Sequence, residues 1–230
     1  MREIVLDTET TGLDPLKGGH RVVEIGCLEL VNHLPTGAKF HTYLNPERDM
    51  PEEAFRVHGL SSDFLAKHPT FAQRVDEFLA FIGEDKLVIH NAEFDMRFVN
   101  AELARIGRPA LPRDRAVDTM RMAQRKYPGA QASLDALCRR FDIDTSARTL
   151  HGALLDATLL ADVYLELIGG REPGFELAAG ARAAAAAQRR LSGAVERSVR
   201  ALRPHAPSPE EAAAHAALVA TIKDAIWSRP

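Results

Sequence analysis

Apolar residues recur along the first 170 positions with two different periods. Four short segments rich in Val, Ile and Leu are typical of strands: Arg2–Leu6, Val22–Val31, Phe40–Leu44 and Leu87–His90. The second of these alternates only loosely, which predicts a strand exposed on one face. Four longer segments repeat apolar residues with the helical period: Phe71–Ile82, Phe94–Ile106, Leu134–Phe141 and Leu154–Ile168. A strand-rich beginning followed by alternating strands and helices predicts an α/β domain with a mixed sheet.

The pattern changes after the pair Gly169-Gly170, which should end the last long helix. Residues 171–207 contain an alanine-rich stretch and predict a flexible linker with one short amphipathic helix, whose apolar stripe is Leu191, Val195, Val199 and Leu202. The letters "SPEE" at Ser208–Glu211 predict a terminal helix that begins with a capping box and a proline. Its apolar face would contain Leu218, Ile222 and Ile226, with Trp227 near its end. We therefore predict a domain over 1–170, a linker over 171–207 and a helix over 208–230.

Charge and cysteine content limit the environments in which the chain can work. The net charge of −3 argues against a domain that holds a long nucleic-acid duplex by itself. The charge is uneven, because residues 1–170 hold 20 Lys and Arg against 26 Asp and Glu, whereas residues 171–230 hold nine against six. No apolar run reaches the ~20 residues of a membrane span, and no signal-peptide pattern begins the chain. We therefore expect a cytoplasmic protein without a membrane partner, in which Cys27 and Cys138 are buried free thiols.

Four acidic residues lie at positions where a carboxylate is costly. Asp7 and Glu9, in "LDTETTGL", follow an apolar run and point to the same side if the strand continues through them. Asp95 lies on the apolar face of its predicted helix, and so does Asp156. Such a carboxylate must be paired, protonated or bound to metal. A solvated strand end or an incidental ion pair would explain any one of the four, but together they predict one shared cleft.

Four carboxylates in one cleft repel each other unless cations lie between them. Hard oxygen ligands favour Mg²⁺ or Mn²⁺ over zinc, and two such ions ~3.5–4 Å apart catalyse in-line displacement at phosphorus. His151, five residues before Asp156, is a candidate general base because an imidazole titrates near neutral pH. This spacing does not place the two on one helical face, which suits a histidine in the lead-in to a helix. The alternative is a histidine whose ring bonds the backbone at a helix start.

The motifs around these residues resemble those of the DEDD superfamily of 3′→5′ exonucleases, in the subgroup that contains a histidine. Three motifs match in order: "DTETTG" at 7–12, "HNAEFD" at 90–95 and "HGALLDA" at 151–157. Within the superfamily the chain is most similar to the proofreading epsilon subunits of bacterial DNA polymerase III, and the similarity is dense from Arg2 to about Gly170. The resemblance implies a ribonuclease-H-like fold, in which helices flank a mixed five-stranded sheet.

The resemblance also implies a role for each of the five candidate residues. Asp7, Glu9 and Asp156 would bind one metal ion, Asp7 would also reach a second ion, and Asp95 would help to hold that second ion. His151 would be the general base. The cofactors implied are two Mg²⁺ or Mn²⁺ ions in each active site.

A fourth segment resembles the substrate loop of the family. The letters "PEEAFRVHGL" at 51–60 imply that Glu53 and His58 contact the terminal nucleotide beside Asp7, Glu9 and Asp156. The substrate implied is a single-stranded or frayed 3′ end of DNA, from which 5′-mononucleotides are released.

The tail resembles the segment that attaches epsilon subunits to their polymerase. Its terminal helix with Trp227 implies binding to the polymerase III alpha subunit, and the family implies a small accessory subunit as a further partner. Epsilon subunits often carry a segment for the sliding clamp directly after the nuclease domain. Residues Arg171–Leu177 read "REPGFEL" there, with Arg171 where Gln is expected, so clamp binding through this segment is left open.

Two other interpretations use the same residues. An RNA-processing 3′→5′ exoribonuclease of the same superfamily would share the chemistry, although it has no need of a basic, helix-forming tail. A non-catalytic adaptor would dock partners through that tail, although it has no need of uncompensated carboxylates. Activity on matched DNA and RNA oligonucleotides, with and without metal, separates the three.

Overall fold

The computed structural model describes residues 1–146, 150–169 and 207–222, and the chain divides into two compact units, residues 1–177 and 178–230. The described part of the first unit contains the strands β1 (Arg2–Thr10), β2 (Val22–Val31), β3 (Leu34–Tyr43), β4 (Lys86–Ile89) and β5 (Ala116–Asp118). Its helices are α1 (Glu52–His58), α2 (Ser62–Leu65), α3 (Phe71–Ile82), α4 (Ala92–Arg105), α5 (Thr119–Lys126), α6 (Leu134–Arg140) and α7 (Ala153–Ile168). The second unit contributes α8 (Pro209–Thr221).

The strands form one mixed sheet with β1 at its centre. The order is β3-β2-β1-β4-β5, in which β2 is antiparallel to β1 and β3, whereas β4 is parallel to β1 and β5. The carboxyl ends of β1, β4 and β5 therefore lie along the same edge of the sheet. The prediction of a mixed five-stranded sheet flanked by helices is confirmed.

Helices cover both faces of the sheet, because alternate residues of each strand point to opposite sides. Ile4 and Leu6 of β1 pack in one core with α3 and α4, while Val5 packs in a second core with α6 and α7. β2 contributes to both cores in the same way, and Val31 is its one exposed residue. The prediction that Val22–Val31 is exposed on one face is therefore wrong, because α7 covers the face that was expected to meet water.

Long periodic segments were predicted more accurately than short ones. Helix Phe71–Ile82 has the predicted bounds, and the other three predicted helices differ from the observed ones by one or two residues at an end. Strand β5 and helix α2 were not predicted, because three or four residues are too few to show a period. Helices α1 and α5 were not predicted either, because neither buries a row of large apolar side chains. β3 begins at Leu34, six residues before the predicted start at Phe40. The prediction missed these six residues because they are exposed and show no apolar pattern. Cys27 and Cys138 are buried free thiols, as predicted.

The described part of the second unit is the helix α8. Ser208 Oγ accepts a hydrogen bond from the Glu211 backbone N–H, and the Glu211 carboxylate accepts one from the Ser208 N–H, so the predicted capping box is present. The helix ends at Thr221 and Ile222 is extended, so Ile222 does not continue the helical face. Ile226, Trp227 and the predicted linker helix lie outside the described residues, and the domain bounds at 170 and 207 remain predictions. Among the described helices, none is long and apolar enough to cross a membrane.

A glycine allows α7 to begin directly against the sheet. Gly26 of β2 faces Asp7 of β1 in the strand register. A Cβ atom at Gly26 would lie 2.3–2.4 Å from backbone atoms of Ala153 and Leu154, well inside van der Waals contact. This close approach brings Asp156, in the first turn of α7, towards the carboxyl end of β1.

We predict that Gly26→Ala destabilises the fold by about 1–3 kcal/mol, the usual cost of overpacking, because the new methyl group must displace the start of α7. The free energy of unfolding in urea measures this. Gly152→Ala is the matched control, since a Cβ there meets nothing within 4 Å, and it should cost less than about 1 kcal/mol. Equal losses from the two substitutions would contradict the prediction.

Candidate active site

Two carboxylates, those of Asp7 and Glu9, lie near the carboxyl end of strand β1 and on the same face of the sheet. In the register with β2, Asp7 lies opposite Gly26 and Glu9 lies opposite Glu24. Residues two apart on a strand share a face, so the side chains of Asp7 and Glu9 point the same way. Glu9 is buried and Asp7 is partly buried. Gly26 leaves the space beside Asp7 open to the first turn of α7.

Helix α4 contributes the third carboxylate. Asn91, at the end of the β4–α4 connection, has φ 64°, a left-handed conformation that asparagine tolerates, and the helix begins directly after it. Asp95 follows in the first turn and is only 3% exposed. Thr8 of β1 donates a hydrogen bond from Oγ1 to Asp95 Oδ1 at 2.7 Å. Burial raises the pKa of Asp95 to about 7, although the Thr8 hydrogen bond opposes that shift.

Helix α7 and the residues before it contribute the fourth carboxylate and the histidine. Asp156 is buried, and His151 lies half-exposed just before the cap residue Gly152. His151 Nδ1 is 3.2 Å from Asp156 Oδ2, and the His151 backbone N–H donates to Val57 O at 3.2 Å. Possible ligand atoms of Glu9, His151 and Asp156 all lie within 4.8 Å of one another.

Electrostatics connects Asp7 with the other three acids. The pKa of Asp7 lies well above its usual value, first because the carboxyl is desolvated, and then because the charges of Asp95, Glu9 and Asp156 repel its ionised form. The structure thus groups Glu9, His151 and Asp156 closely, and it places Asp7 within electrostatic range of the other three acids, where β1, α4 and α7 meet.

A cleft of about 710 Å³ opens beside the buried acid Glu9. One wall is the connection between β1 and β2, the other is helix α1, and Phe94 of α4 also lines it. Glu53 and His58, to which the resemblance assigns substrate contact, both lie on the α1 wall. A 710 Å³ space is large enough for a small ligand of nucleotide size.

His58 is held in a defined orientation at the end of α1. It is buried, and its Nδ1 accepts a hydrogen bond from the Leu60 backbone N–H at 3.0 Å. Burial lowers the pKa of His58 below the usual histidine value, although the Thr10 backbone and the Glu24 charge oppose the shift. His58 Nε2 forms no well-aligned hydrogen bond within the described chain and is buried at the cleft.

Sequence reasoning missed a fifth buried acid near the site. Glu24 of β2 lies opposite Glu9, and its Oε1 is 2.7 Å from His41 Nε2 on β3. Its charge contributes to the raised pKa of Asp7. The signal was present in "VVEIG", where one acid interrupts an apolar strand.

These features define an exonuclease. The exonuclease family RNase T matches residues 4–164, and the chain belongs to it. Relatives named DNA polymerase III subunit epsilon include a Rickettsia felis protein, 54% identical over 180 residues that cover 77% of this chain and 78% of that one. Another, from Escherichia coli, is 48% identical over 177 residues, covering 74% and 72%. Within the exonucleases, the chain therefore belongs to the DNA polymerase III epsilon subunits.

Solved structures share the fold. Exonuclease X in complex with 5′ overhanging duplex DNA superposes with a TM-score of 0.58 at 24% identity, over 72% of this chain and 90% of that one. The nuclease domain of 3′hExo, described as a DEDDh family member bound to rAMP, gives a TM-score of 0.64 at 17% identity, over 73% and 91%. The chain is thus a metal-dependent 3′→5′ exonuclease with a ribonuclease-H-like fold.

The residues present fit the divalent metal that the family uses. Asp7, Glu9, Asp95 and Asp156 offer only hard carboxylate oxygens, the donors that suit Mg²⁺ and Mn²⁺. Asp7 and Asp95 have raised pKa values because burial and neighbouring charge disfavour their ionised forms. A cation among them would offset both costs, so the site is built for positive charge.

We predict that the metal-free protein loses stability as pH rises from about 4 to about 7. The pKa of Asp95 is raised to about 7 in the folded protein, so its contribution to stability is complete below its unfolded pKa and is lost on ionisation. Mg²⁺ should therefore raise the melting temperature more at pH 8 than at pH 5, by at least about 2–4 °C. Thermal unfolding with chelator or with millimolar Mg²⁺ measures this.

Asp95→Asn is the control for this measurement, because asparagine keeps the size and the Thr8 contact but cannot ionise. Its melting temperature should depend less on pH and respond less to Mg²⁺ than that of the wild type. A wild-type protein whose melting temperature at pH 8 ignores Mg²⁺ would refute the assignment of a cation site.

Proposed function

We propose that this chain is the proofreading subunit of a bacterial DNA polymerase III, which removes nucleotides from mispaired or single-stranded 3′ ends of DNA and releases 5′-mononucleotides. The observation that supports this most is the convergence of Asp7, Glu9, Asp95, Asp156 and His151 beside the cleft. The identity of 45–54% to epsilon subunits supports the choice of DNA as substrate.

The cleft would receive the terminal nucleotide between its two walls. Glu53 and His58 line the cleft from α1, and Glu9, which lies close to Asp156 and His151, lines it as well. His58 is a donor at Nε2, because its Nδ1 accepts from the backbone. We assign Glu53 and His58 to binding the terminal nucleotide, together with Asp7, Glu9 and Asp156 near the scissile phosphate.

The carboxylates would hold two Mg²⁺ or Mn²⁺ ions. Asp7, Glu9 and Asp156 would bind one ion, while Asp7 and Asp95 would hold the second. Two such ions stabilise the attacking and leaving oxygens of an in-line displacement at phosphorus. Thr8 supports this set by fixing the orientation of the Asp95 carboxylate.

His151 would be the general base. Its half-exposed position next to the buried Asp156 lets it meet both solvent and substrate. The 3.2 Å contact between Nδ1 and the Asp156 carboxylate orients the ring, and the Val57 carbonyl fixes the backbone at His151. The imidazole would take the proton of the attacking water as the scissile P–O bond breaks.

Similarity to epsilon subunits also supports a proposal about the protein partners of this chain. We propose that the tail binds the polymerase III alpha subunit, that a small accessory subunit is a second partner, and that the complex works in the cytoplasm. Clamp binding through the divergent segment Arg171–Leu177 is not part of the proposal. No feature of the described residues favours the two alternatives weighed from the sequence, RNA processing and a non-catalytic adaptor, over this function.

The test is hydrolysis of a single-stranded DNA oligonucleotide and of the RNA with the same sequence. We expect metal-dependent release of 5′-monophosphates from the 3′ end of DNA. His151→Ala should lower the rate by roughly 10²–10⁴-fold, as for other losses of a general base. Binding of Mn²⁺, measured by calorimetry, should survive in His151→Ala and weaken in Asp156→Asn.

Several results would overturn this proposal. Digestion that resists chelators, or products with 3′-phosphates, would exclude the two-metal scheme. Faster cleavage of RNA than of DNA would favour the RNA-processing candidate, and absence of any nuclease activity would favour the adaptor.

We predict that a fragment of residues 1–170 degrades single-stranded DNA but does not bind the polymerase. All proposed site residues lie in this range, and the basic tail has apolar positions that suit a partner surface. Pull-down of the polymerase subunit by the full chain and by the fragment measures this. Trp227→Ala in the full chain should weaken the complex, since large aromatic residues often dominate interfaces. Equal binding by fragment and full chain would contradict the role of the tail.

A further inference from the structure

One wall of the cleft is a connection without regular secondary structure of its own. Residues 11–21 join β1 to β2, and several of them line the cleft: Thr11, Gly12, Leu13, Asp14, Lys17, Gly18 and His20. The Thr11 N–H donates to Arg21 O at 2.9 Å, and the Arg21 N–H donates to Thr11 Oγ1 at 3.0 Å. These two bonds close the base of the connection. Its tip is held by its own turn, in which the Gly18 N–H donates to Asp14 O at 3.2 Å, by Arg48, which donates to Gly18 O at 2.9 Å and to Gly19 O at 2.7 Å, and by helix α4.

Helix α4 holds the tip through two arginines. Arg97 Nη2 lies 3.0 Å from Asp14 Oδ1. Arg105, two turns further along, donates to Pro15 O at 3.4 Å and to His20 O at 3.5 Å. Asp14 in turn accepts from the Leu16 and Lys17 backbone N–H groups, and these bonds keep its carboxylate ionised by lowering its pKa. The arginines of α4 therefore contact the connection both at the Asp14 side chain and at the backbone carbonyls of Pro15 and His20.

A buried carboxylate of α4 fastens the base. Glu102 is almost fully buried, and its carboxylate accepts two hydrogen bonds from Arg21, one from Nε at 2.7 Å and one from Nη2 at 2.9 Å. It also accepts from the Val22 N–H at 3.2 Å and from Arg105 at 3.1 Å. Bidentate pairs of this kind have fixed geometry, so Glu102 sets the position of the chain where the connection enters β2.

The same helix carries groups of the active site. Asp95 lies among the carboxylates and Phe94 lines the cleft, while Arg97 and Arg105 contact the connection opposite α1. The connection that forms this cleft wall is thus attached to α4, the helix that also contains Asp95. Arg97 also offsets the charge of Asp14, which lines a cleft that must admit an anionic nucleotide.

We propose that Arg97 and Arg105 are positioning residues that hold the β1–β2 connection as a fixed wall for the 3′-terminal nucleotide. This inference rests on the proposed function. Neither arginine contributes a group to the carboxylate centre, so the two act on binding of the DNA end and leave the chemical step unchanged. A wall that is fixed in advance costs less to order when the nucleotide binds.

The experiment compares the full-length wild type with Arg97→Gln/Arg105→Gln on a single-stranded DNA oligonucleotide. KM should rise roughly three- to tenfold while kcat stays within about twofold, the pattern of lost binding without lost catalysis. Arg97→Lys/Arg105→Lys keeps both charges and should recover most of the wild-type KM. The Mg²⁺ concentration for half-maximal rate should match the wild type in both variants. The melting temperature should fall by no more than a few degrees, because the arginine side chains of these ion pairs are partly exposed and such pairs contribute little to stability.

The matched control is Arg108→Gln/Arg139→Gln, which removes the same charge. Arg108 pairs with Asp76 at 2.5 Å and Arg139 is exposed on α6, so neither contacts the connection. An equal rise of KM in this control would show a general charge effect and overturn the inference. Unchanged KM, or a fall in kcat alone, in Arg97→Gln/Arg105→Gln would also overturn it while the wild type still degrades DNA. A wild type without nuclease activity would instead refute the proposed function.

Discussion

Mutual repulsion of buried carboxylates is the constraint on which this structure depends. Asp7, Glu9, Asp95 and Asp156 come together where little water can screen them. Desolvation and then the charges of the other three acids raise the pKa of Asp7, and burial is the main cause that raises the pKa of Asp95 to about 7. The protein supports this arrangement locally with the Thr8 hydrogen bond and the His151 contact. Such support is partial, and a divalent cation held by these carboxylates would complete it. The repulsion that raises the pKa of Asp7 is also what would favour binding of a divalent cation.

The fold provides this arrangement by bringing three elements to one edge of the sheet. β1 contributes two acids from the central strand, α4 contributes one from one layer, and α7 contributes one from the other layer. The site therefore exists only when both helical layers are packed, and Gly26 is the point where the second layer meets the strands. A substitution at Gly26 that shifts the start of α7 would also move Asp156, so stability and activity are coupled through this contact.

Substrate binding depends on less regular parts of the chain. The cleft lies between a short helix, α1, and the β1–β2 connection, and neither shows a period that predicts it. The connection has no strand pairing of its own. It is held against α4 by the Arg97–Asp14 ion pair and by the hydrogen bonds from Arg21 to the buried Glu102. The second unit lies apart from this chemistry in sequence, since every proposed site residue precedes position 170.

The sequence by itself determined the long elements and the identity of the acids. Helix Phe71–Ile82 has its predicted bounds because its apolar period runs through three turns, and Asp95 and Asp156 stood out because they interrupt such periods. The spacing to Asp156 made His151 a candidate general base, and the family resemblance then added Glu53 and His58. Only the tertiary structure decided that β2 is buried on both faces, that Glu24 lies beside Glu9, and that Thr8 holds Asp95. These features depend on which elements pack together across long stretches of sequence, and local periodicity carries no information about such partners.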